Sequence, residues 1–127
     1  MRLARPALAV TAALSLTMLA GCAAAATPEE KAEQEMKTFI AALNGDGDIA
    51  WCEGEDDGGI EFGAWALEDE DSITVEPQSE KDRWTVRADV HPVDDESRVQ
   101  EQSIHVMVPE EGDPCVAVVY GFLDVTS

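Results

Sequence analysis

The 127-residue sequence predicts an α+β domain in which helices pack on an antiparallel sheet. Near its start, apolar residues recur with the period of about 3.6 residues that marks an amphipathic helix. From residue 72 onward, apolar and polar residues alternate as in half-buried strands. The predicted order is therefore a helix, a short second helix and then four or more strands. For that order, one curved sheet wrapped on the first helix is the economical packing.

The first helix is predicted to begin at Thr27. Thr27 serves as N-cap, Pro28 occupies the first helical position, and Glu30 closes a capping box. Gly45 is a natural C-terminal stop, because glycine readily adopts the left-handed conformation that ends many helices. The apolar stripe between these ends consists of Ala32, Met36, Phe39, Ile40 and Leu43. The helix is therefore amphipathic, and its apolar face has to pack on the rest of the domain.

A short second helix is predicted over residues 49–52, with Asp46 or Asp48 as its cap. The acidic and glycine-rich residues 53–59 then form a loop. Residues 60–67 are ambiguous between strand and helix. The acidic loop thus separates the helical part of the chain from the strands.

Three alternating segments, around residues 73–75, 84–90 and 104–108, are predicted to be half-buried strands. Residues 115–125 differ, because apolar residues occupy both the even and the odd positions. With strict alternation, the even positions lie on one face of this strand and the odd positions on the other. A strand that is apolar on both faces is predicted to be central and covered twice.

The N-terminal residues have the three-part build of a secretory signal, with two arginines in the first five residues, an uncharged apolar run over 7–19 and small residues before a cysteine. The motif Leu19-Ala20-Gly21-Cys22 resembles the lipobox of bacterial lipoproteins. The resemblance implies that residues 1–21 are removed as a signal peptide and that Cys22 receives lipid, with acyl chains such as palmitate. Residues 22–26 are then the lipidated cysteine and its tether, and residues 27–127 a single α+β domain.

In this interpretation the domain lies in the cell envelope, and Cys22 attaches it to the outer face of the cytoplasmic membrane, or to an outer membrane if the organism has one. The alternative is an uncleaved anchor helix, because residues 7–26 carry no charge and about 20 residues can span a bilayer. Alanine and threonine give that span only a weak drive for insertion. Both interpretations place the folded domain outside the cytoplasm.

The sequence is strongly acidic, with 27 Asp and Glu against 8 Lys and Arg and a formal net charge of −19. Nucleic acids and anionic lipid surfaces are bound by clusters of basic residues, so neither is an expected partner. An acidic surface favours solubility, and it also suits a basic envelope protein as a partner.

The cysteines predict a disulfide. With Cys22 assigned to the lipid, Cys52 and Cys115 are left as a pair. Thiols outside the cytoplasm tend to be oxidised, which favours a disulfide between them. A two-cysteine metal site is the alternative, but the sequence has no Cys-x-x-Cys and no histidine at ligand spacing. We therefore expect neither a metal nor a cofactor.

The element order, the polar break over residues 43–48 and the predicted meeting of the two cysteines resemble the nuclear transport factor 2-like, or cystatin-like, roll of small extracytoplasmic lipoproteins. The sequence has no nucleophile motif and no glycine-rich phosphate loop after a strand, so we expect a non-catalytic binding or envelope-interaction module. A plain cystatin-like layer without a pocket is the nearest structural alternative. The functional alternative is an enzyme of the same fold with the acid–base chemistry of isomerases and dehydratases.

If the module binds a small apolar ligand, the candidate cavity lies between the first helix and the sheet. A concave and mostly apolar pocket is the usual small-molecule site. Its predicted lining is Met36, Phe39, Ile40, Leu43, Trp84, Val86, Val106, Val119 and Tyr120.

Asp89 and His91 form the acid–base pair of the enzyme alternative. They lie two residues apart in a predicted strand, so their side chains project to the same side. Arginines and a threonine share that face, which is therefore expected to look outward. Catalysis is not predicted for this pair.

The acidic loop supplies a third functional alternative, a weak divalent-cation-binding surface. Asn44, Asp46, Asp48 and Glu55 fall at positions one, three, five and twelve of a calcium loop of the EF-hand kind. Ile49 occupies the position where that loop needs glycine, so a specific calcium site is not predicted. A loose cation site would draw on Asp46, Asp48, Glu55, Asp56 and Asp57.

Overall fold

The computed structural model describes residues 26–124, which form one α-helix packed on a curved, unclosed antiparallel sheet of five strands. The elements are α1 (Pro28–Leu43), β1 (Trp65–Leu67), a 3-10 turn (Glu70–Ser72), β2 (Thr74–Pro77), β3 (Arg83–Pro92), β4 (Gln100–Met107) and β5 (Cys115–Tyr120). The predicted α+β class is confirmed. The signal peptide 1–21, the lipidated Cys22 and the tether up to residue 25 lie outside the described residues. Within residues 26–124, no helix has the length and apolar character needed to cross a membrane.

Both ends of α1 follow from local sequence. At its start, the Glu30 amide donates to Thr27 Oγ1 at 3.1 Å, and the Thr27 amide donates to Glu30 Oε1 at 3.2 Å, so the predicted capping box is present. At its end, Gly45 has a φ of +86°, and its amide donates to the Ala42 carbonyl at 3.1 Å. The Asp46 amide donates to the carbonyl of residue 41 at 3.0 Å, which completes the Schellman ending that glycine permits.

The sheet is built around β3. Along one edge, β3 pairs antiparallel with β4, and along the other it pairs with β2 near its start and with β1 near its end. β5 pairs with β4 and is the last strand in the order β1-β3-β4-β5. The prediction that residues 115–125 form a central strand is therefore wrong, and so is its length, because β5 ends at Tyr120.

A β-bulge explains why β5 is apolar at consecutive positions. His105 lies opposite Val118, whereas the next residue of β4, Val106, lies opposite Val116, so Ala117 is an extra residue in β5. Strict alternation placed Val116 and Val118 on one face. The bulge moves them to opposite faces, with Val116 towards the helix.

The predicted second helix over residues 49–52 is wrong. Trp51 instead forms a parallel β-bridge with Val116, the Cys52 amide donates to the Val116 carbonyl at 2.9 Å, and the Val116 amide donates to the Ala50 carbonyl at 2.7 Å. So short a helix satisfies few of its own backbone groups, whereas the open edge of β5 offers partners. We refer to residues 50–52 as the edge segment. The predicted disulfide between Cys52 and Cys115 is confirmed, with 4.8 Å between the Cα atoms, and it fastens the edge segment to β5.

The core lies between α1 and the sheet and contains an aromatic cluster. Phe39 of α1 contacts Phe122 edge-to-face with 5.1 Å between ring centroids, and Trp65 contacts Phe122 at 6.2 Å. Phe122 reaches this position because Gly121 and Phe122 both have positive φ values, +105° and +61°, which turn the chain inward directly after β5. All three rings are at most 1% exposed.

Candidate functional site

A groove of about 480 Å³ lies between the first half of α1 and the loop that joins β4 to β5. Its size falls within the range of small-molecule sites. The helix side consists of Glu30, Lys31, Glu33, Gln34 and Glu35, the loop side of Gly112, Asp113 and Pro114, and Ala26 completes the wall. The groove therefore opens beside the start of the described chain.

Glu35 distinguishes this groove from an ordinary surface depression. It lies three residues after Ala32 and one before Met36, and so falls within the apolar stripe of α1. The helix accordingly directs it towards the core, and it is only 8% exposed. Among residues 26–124, Glu35 Oε2 is buried without a hydrogen-bond partner. An ionised carboxylate in that position is costly unless a partner compensates its charge.

The surroundings of Glu35 favour its neutral form. Burial raises the pKa of the Glu35 carboxyl from 4.5 to about 7, and the negative charge of Asp113 raises this pKa as well. Near neutral pH, a group with this pKa is protonated in about half of the molecules. Glu35 therefore changes its charge close to neutral pH.

The remaining charges of the groove are mostly negative or already paired. Glu30 takes part in the capping box. Glu33 lies 3.8 Å from Lys37 Nζ, and Lys37 also contacts Glu70 at 3.6 Å. Within the described part of the chain, no ion pair joins Glu35 to a lysine or arginine. The wall thus presents four carboxyl groups and one amine, that of Lys31.

The residues predicted to line an apolar cavity mostly gather in the core. Met36, Phe39, Ile40, Val86 and Val106 are buried members of the core cluster, and Leu43, Trp84 and Val119 pack against it. Val119 also borders a separate pocket of about 200 Å³, together with Trp51 and Phe62. These residues do not line the Glu35 groove.

Tyr120 does not join the other residues of the predicted cavity. It pairs with Ser103 on the face of the sheet that looks away from α1, it is 51% exposed, and its ring contacts the His105 ring at 4.9 Å. The bulge at Ala117 is the physical reason, because strict alternation counted from Val116 would turn Tyr120 towards α1, and the extra residue turns it to the outer face.

The acids of the loop after α1 are not brought together. The side-chain amide of Asn44 donates to the carbonyls of Ile40 and Trp65, at 2.9 Å each, and so ties the helix end to β1. Asp56 and Asp57 each accept from the amide of the glycine two residues on, at 2.8 and 2.9 Å. Within residues 26–124, no group of three or more His, Cys, Asp or Glu side chains is arranged to hold a metal ion.

Asp89 and His91 lie on the face of β3 opposite to its buried residues. His91 Nε2 is 3.7 Å from the Glu68 carboxylate, and Nδ1 is 2.8 Å from the Pro92 carbonyl oxygen. Asp89 pairs across the sheet with Glu101. Their position is the outward one that the alternation predicts, and they are not part of the Glu35 groove.

Glu35 and Asp113 are the site residues that the sequence predictions missed. The signal for Glu35 was present, since an acidic residue three positions after Ala32 interrupts an otherwise apolar stripe. Asp113 carries no local signal, because only the tertiary fold brings its loop to α1. Comparison of the chain with known protein families, with curated proteins and with solved structures gave no match.

Proposed function

We propose that the protein is a lipid-anchored extracytoplasmic binding module, and that the groove beside Glu35 is its binding site. The single observation that carries the binding function is a buried, unpartnered carboxyl group in the wall of a groove of small-molecule size. The lipid anchor rests on the motif Leu19-Ala20-Gly21-Cys22. The module is proposed to be non-catalytic.

The position of the groove fits the proposed anchor. Ala26, which borders the groove, follows Cys22 by four residues. Four residues span at most about 14 Å when fully extended. The groove would therefore face a narrow zone next to the bilayer, where it could bind a small molecule or part of an envelope component.

We also propose that the fold belongs to the cystatin-like rolls. The support is an N-terminal helix packed on a curved antiparallel sheet whose strands follow the helix in sequence. The disulfide between the edge segment and β5 supports the same proposal, because the resemblance rests in part on a cysteine in the predicted second helix facing one in the last strand, and these cysteines meet although residues 49–52 are not helical.

An acid–base enzyme is the second candidate function, and it is Glu35 that favours it. A carboxyl group with a pKa of about 7, next to a second carboxyl, can donate or accept a proton near neutral pH. In that case Glu35 would be the proton donor and Asp113 the charged neighbour, in place of the predicted pair Asp89 and His91. Turnover of a substrate that is lost in Glu35→Gln would establish this candidate.

Binding is tested by measuring the unfolding temperature of the full chain in detergent, with and without apolar compounds, charged compounds and divalent cations. A ligand that binds only the folded state raises the unfolding temperature in a saturable way. Gln34→Trp, which fills the groove from an exposed position, should abolish the shift. Thr38→Trp, one turn further along α1 and outside the groove lining, should retain it.

If no compound shifts the unfolding temperature, the groove is not a small-molecule site and a basic envelope protein becomes the expected partner. The anchor is tested separately by metabolic labelling with palmitate. The wild type should incorporate the label and Cys22→Ala should not. Absence of label from the wild type would contradict the lipobox and support an uncleaved helix.

A further inference from the structure

We infer that the Glu35 groove binds a small organic cation, a primary ammonium group carried on a short aliphatic chain. This inference deepens the binding function proposed above and rests on it. The charged groups that line the groove determine this class of ligand.

Within the described part of the chain, Glu35 lacks a partner for its buried carboxyl group. Glu35 is only 8% exposed, and its Oε2 has no hydrogen-bond partner among residues 26–124. A buried carboxylate is stabilised by a cation that also donates hydrogen bonds. An ammonium group offers three donors and no acceptor, and so it complements carboxylate oxygens.

The rest of the groove is also mostly negative. Asp113, which interacts electrostatically with Glu35 from the β4–β5 loop, provides a second carboxyl group. Glu30 and Glu33 add negative charge around the helix side, and Lys31 is the one basic residue of the lining. A groove with this charge distribution attracts cations. Ala26 and Pro114 offer apolar surface to a short aliphatic chain.

The groove suits an organic cation better than a metal ion. Calcium takes six to eight oxygen ligands, and magnesium about six in a strict octahedron. No cluster of three or more potential ligand side chains exists within the described residues. With Glu30 in the capping box and Glu33 beside Lys37, Glu35 and Asp113 are the carboxyl groups that remain, and two such groups in a groove of about 480 Å³ fit a larger cation that needs fewer charged contacts.

An ammonium group of this kind has two sources next to a bilayer, a free amine or diamine and the ethanolamine headgroup of a lipid. Both carry the same cation on a two- to four-carbon chain. Their soluble forms can be compared directly, since butylamine and 1,4-diaminobutane represent the first source and glycerophosphoethanolamine the second.

The test is isothermal titration of the full chain in detergent and in a buffer without amines, at about pH 8, where Glu35 is mostly ionised. We expect saturable binding of at least one ammonium compound and none of 1-butanol, the neutral counterpart of butylamine. Glu35→Gln should weaken the binding at least about tenfold, because the buried charge pair is lost. Asp113→Asn, in an exposed loop, should weaken it about three- to tenfold and carries the test if Glu35→Gln fails to fold.

Glu29→Gln is the matched control, since Glu29 is exposed on the same helix and does not line the groove. It should bind like the wild type. Tighter binding of glycerophosphoethanolamine would assign the cation to a lipid headgroup, and tighter binding of the amines would assign it to a soluble ligand.

The inference is overturned if 1-butanol binds as well as butylamine, if both groove variants bind like the wild type, or if calcium binds and no amine does. These results leave the binding function in place as long as another compound gives a thermal shift that Gln34→Trp abolishes. If no compound of any class gives such a shift, the groove fails as a small-molecule site altogether, and a basic envelope protein becomes the expected partner.

Discussion

At the scale of single residues, Glu35 stands out because the helix places it where an apolar side chain would stabilise the fold better. It has the burial of its neighbours Ala32 and Met36 but not their chemistry. An uncompensated buried carboxyl group lowers stability, since its ionised form loses water without gaining a partner. Because the ionisation of Glu35 changes the free energy of unfolding, its effect can be measured by varying the pH.

Glu35 should make the folded protein more stable at acidic than at alkaline pH. Its pKa is 4.5 in its ordinary state and about 7 in the folded protein. Between these values the folded state binds the proton and the unfolded state releases it. The contribution of Glu35 to the free energy of unfolding is therefore full below pH 4.5 and is lost as the pH rises through 7, by up to about 3 kcal/mol.

Glu35→Gln isolates this effect, because glutamine has the same shape and does not titrate. We expect the variant to gain stability relative to the wild type as the pH rises from about 5 to about 8. Urea denaturation at several pH values measures the difference, with Glu29→Gln as the control that should follow the wild type. A difference that stays constant over this range would contradict the raised pKa of Glu35.

Gly121 is a second residue with a measurable role. Its φ of +105° is strained for any other residue, and an added Cβ would meet the side-chain amide of Gln102. Gly121→Ala should lower the free energy of unfolding by about 1–2 kcal/mol. The double variant Gly121→Ala/Gln102→Ala should recover part of the loss, because only the backbone strain is left. Urea denaturation measures both, and a fully stable Gly121→Ala would disprove the turn into Phe122.

At the scale of elements, the correct predictions were those with local signals. The start of α1 is marked by a capping box whose two members, Thr27 and Glu30, lie within four residues of sequence. β3 is recognised from its own alternation of apolar and polar residues, whichever strands it pairs with. The edge segment carried only a weak local signal, and its conformation is decided by Val116, far away in the chain. Likewise, the extra residue at Ala117 cannot be recognised from the local sequence, yet it moves Tyr120 to the outer face. The groove escaped prediction for the same reason, because it joins α1 to a loop distant in sequence.

The disulfide fixes the position of the edge segment, and it also stabilises the folded protein. Cys52 and Cys115 are 63 residues apart, and closing a loop of that size in the unfolded chain corresponds to about 4 kcal/mol in the chain-entropy model. The double variant Cys52→Ser/Cys115→Ser should lose about that much free energy of unfolding, measured by urea denaturation. Reduction should destabilise the wild type by a similar amount and leave the double variant unchanged. Equal stability of the two oxidised proteins would contradict this account.

At the scale of the whole molecule, the net charge of −19 makes repulsion between acidic groups the dominant long-range electrostatic effect. Surface ion pairs such as Lys81 with Glu110, at 3.4 Å, oppose it only weakly, because exposed pairs contribute little. Salt screens both effects. With 27 acidic residues against 8 basic ones, the loss of repulsion should outweigh the loss of ion pairs.

The unfolding temperature should therefore rise as sodium chloride is increased from about 10 mM to about 150 mM, over which the screening length shrinks from about 30 Å to about 8 Å. Thermal unfolding followed by circular dichroism measures this rise. An uncharged solute at the same osmolarity is the control and should give a smaller change. A fall in the unfolding temperature with salt would show that the ion pairs dominate.

The position of the disulfide also bears on the order in which the molecule assembles. Cys52 precedes all five strands, and Cys115 begins the last of them. The two sulfurs meet only when the edge segment has reached β5, and contacts between parts of a chain so distant in sequence carry a large entropic cost of loop closure, which slows folding. A molecule whose Cys52 and Cys115 thiols are still free is then one in which the edge segment is not yet fastened to β5, so thiol labelling during refolding would time the completion of this fold.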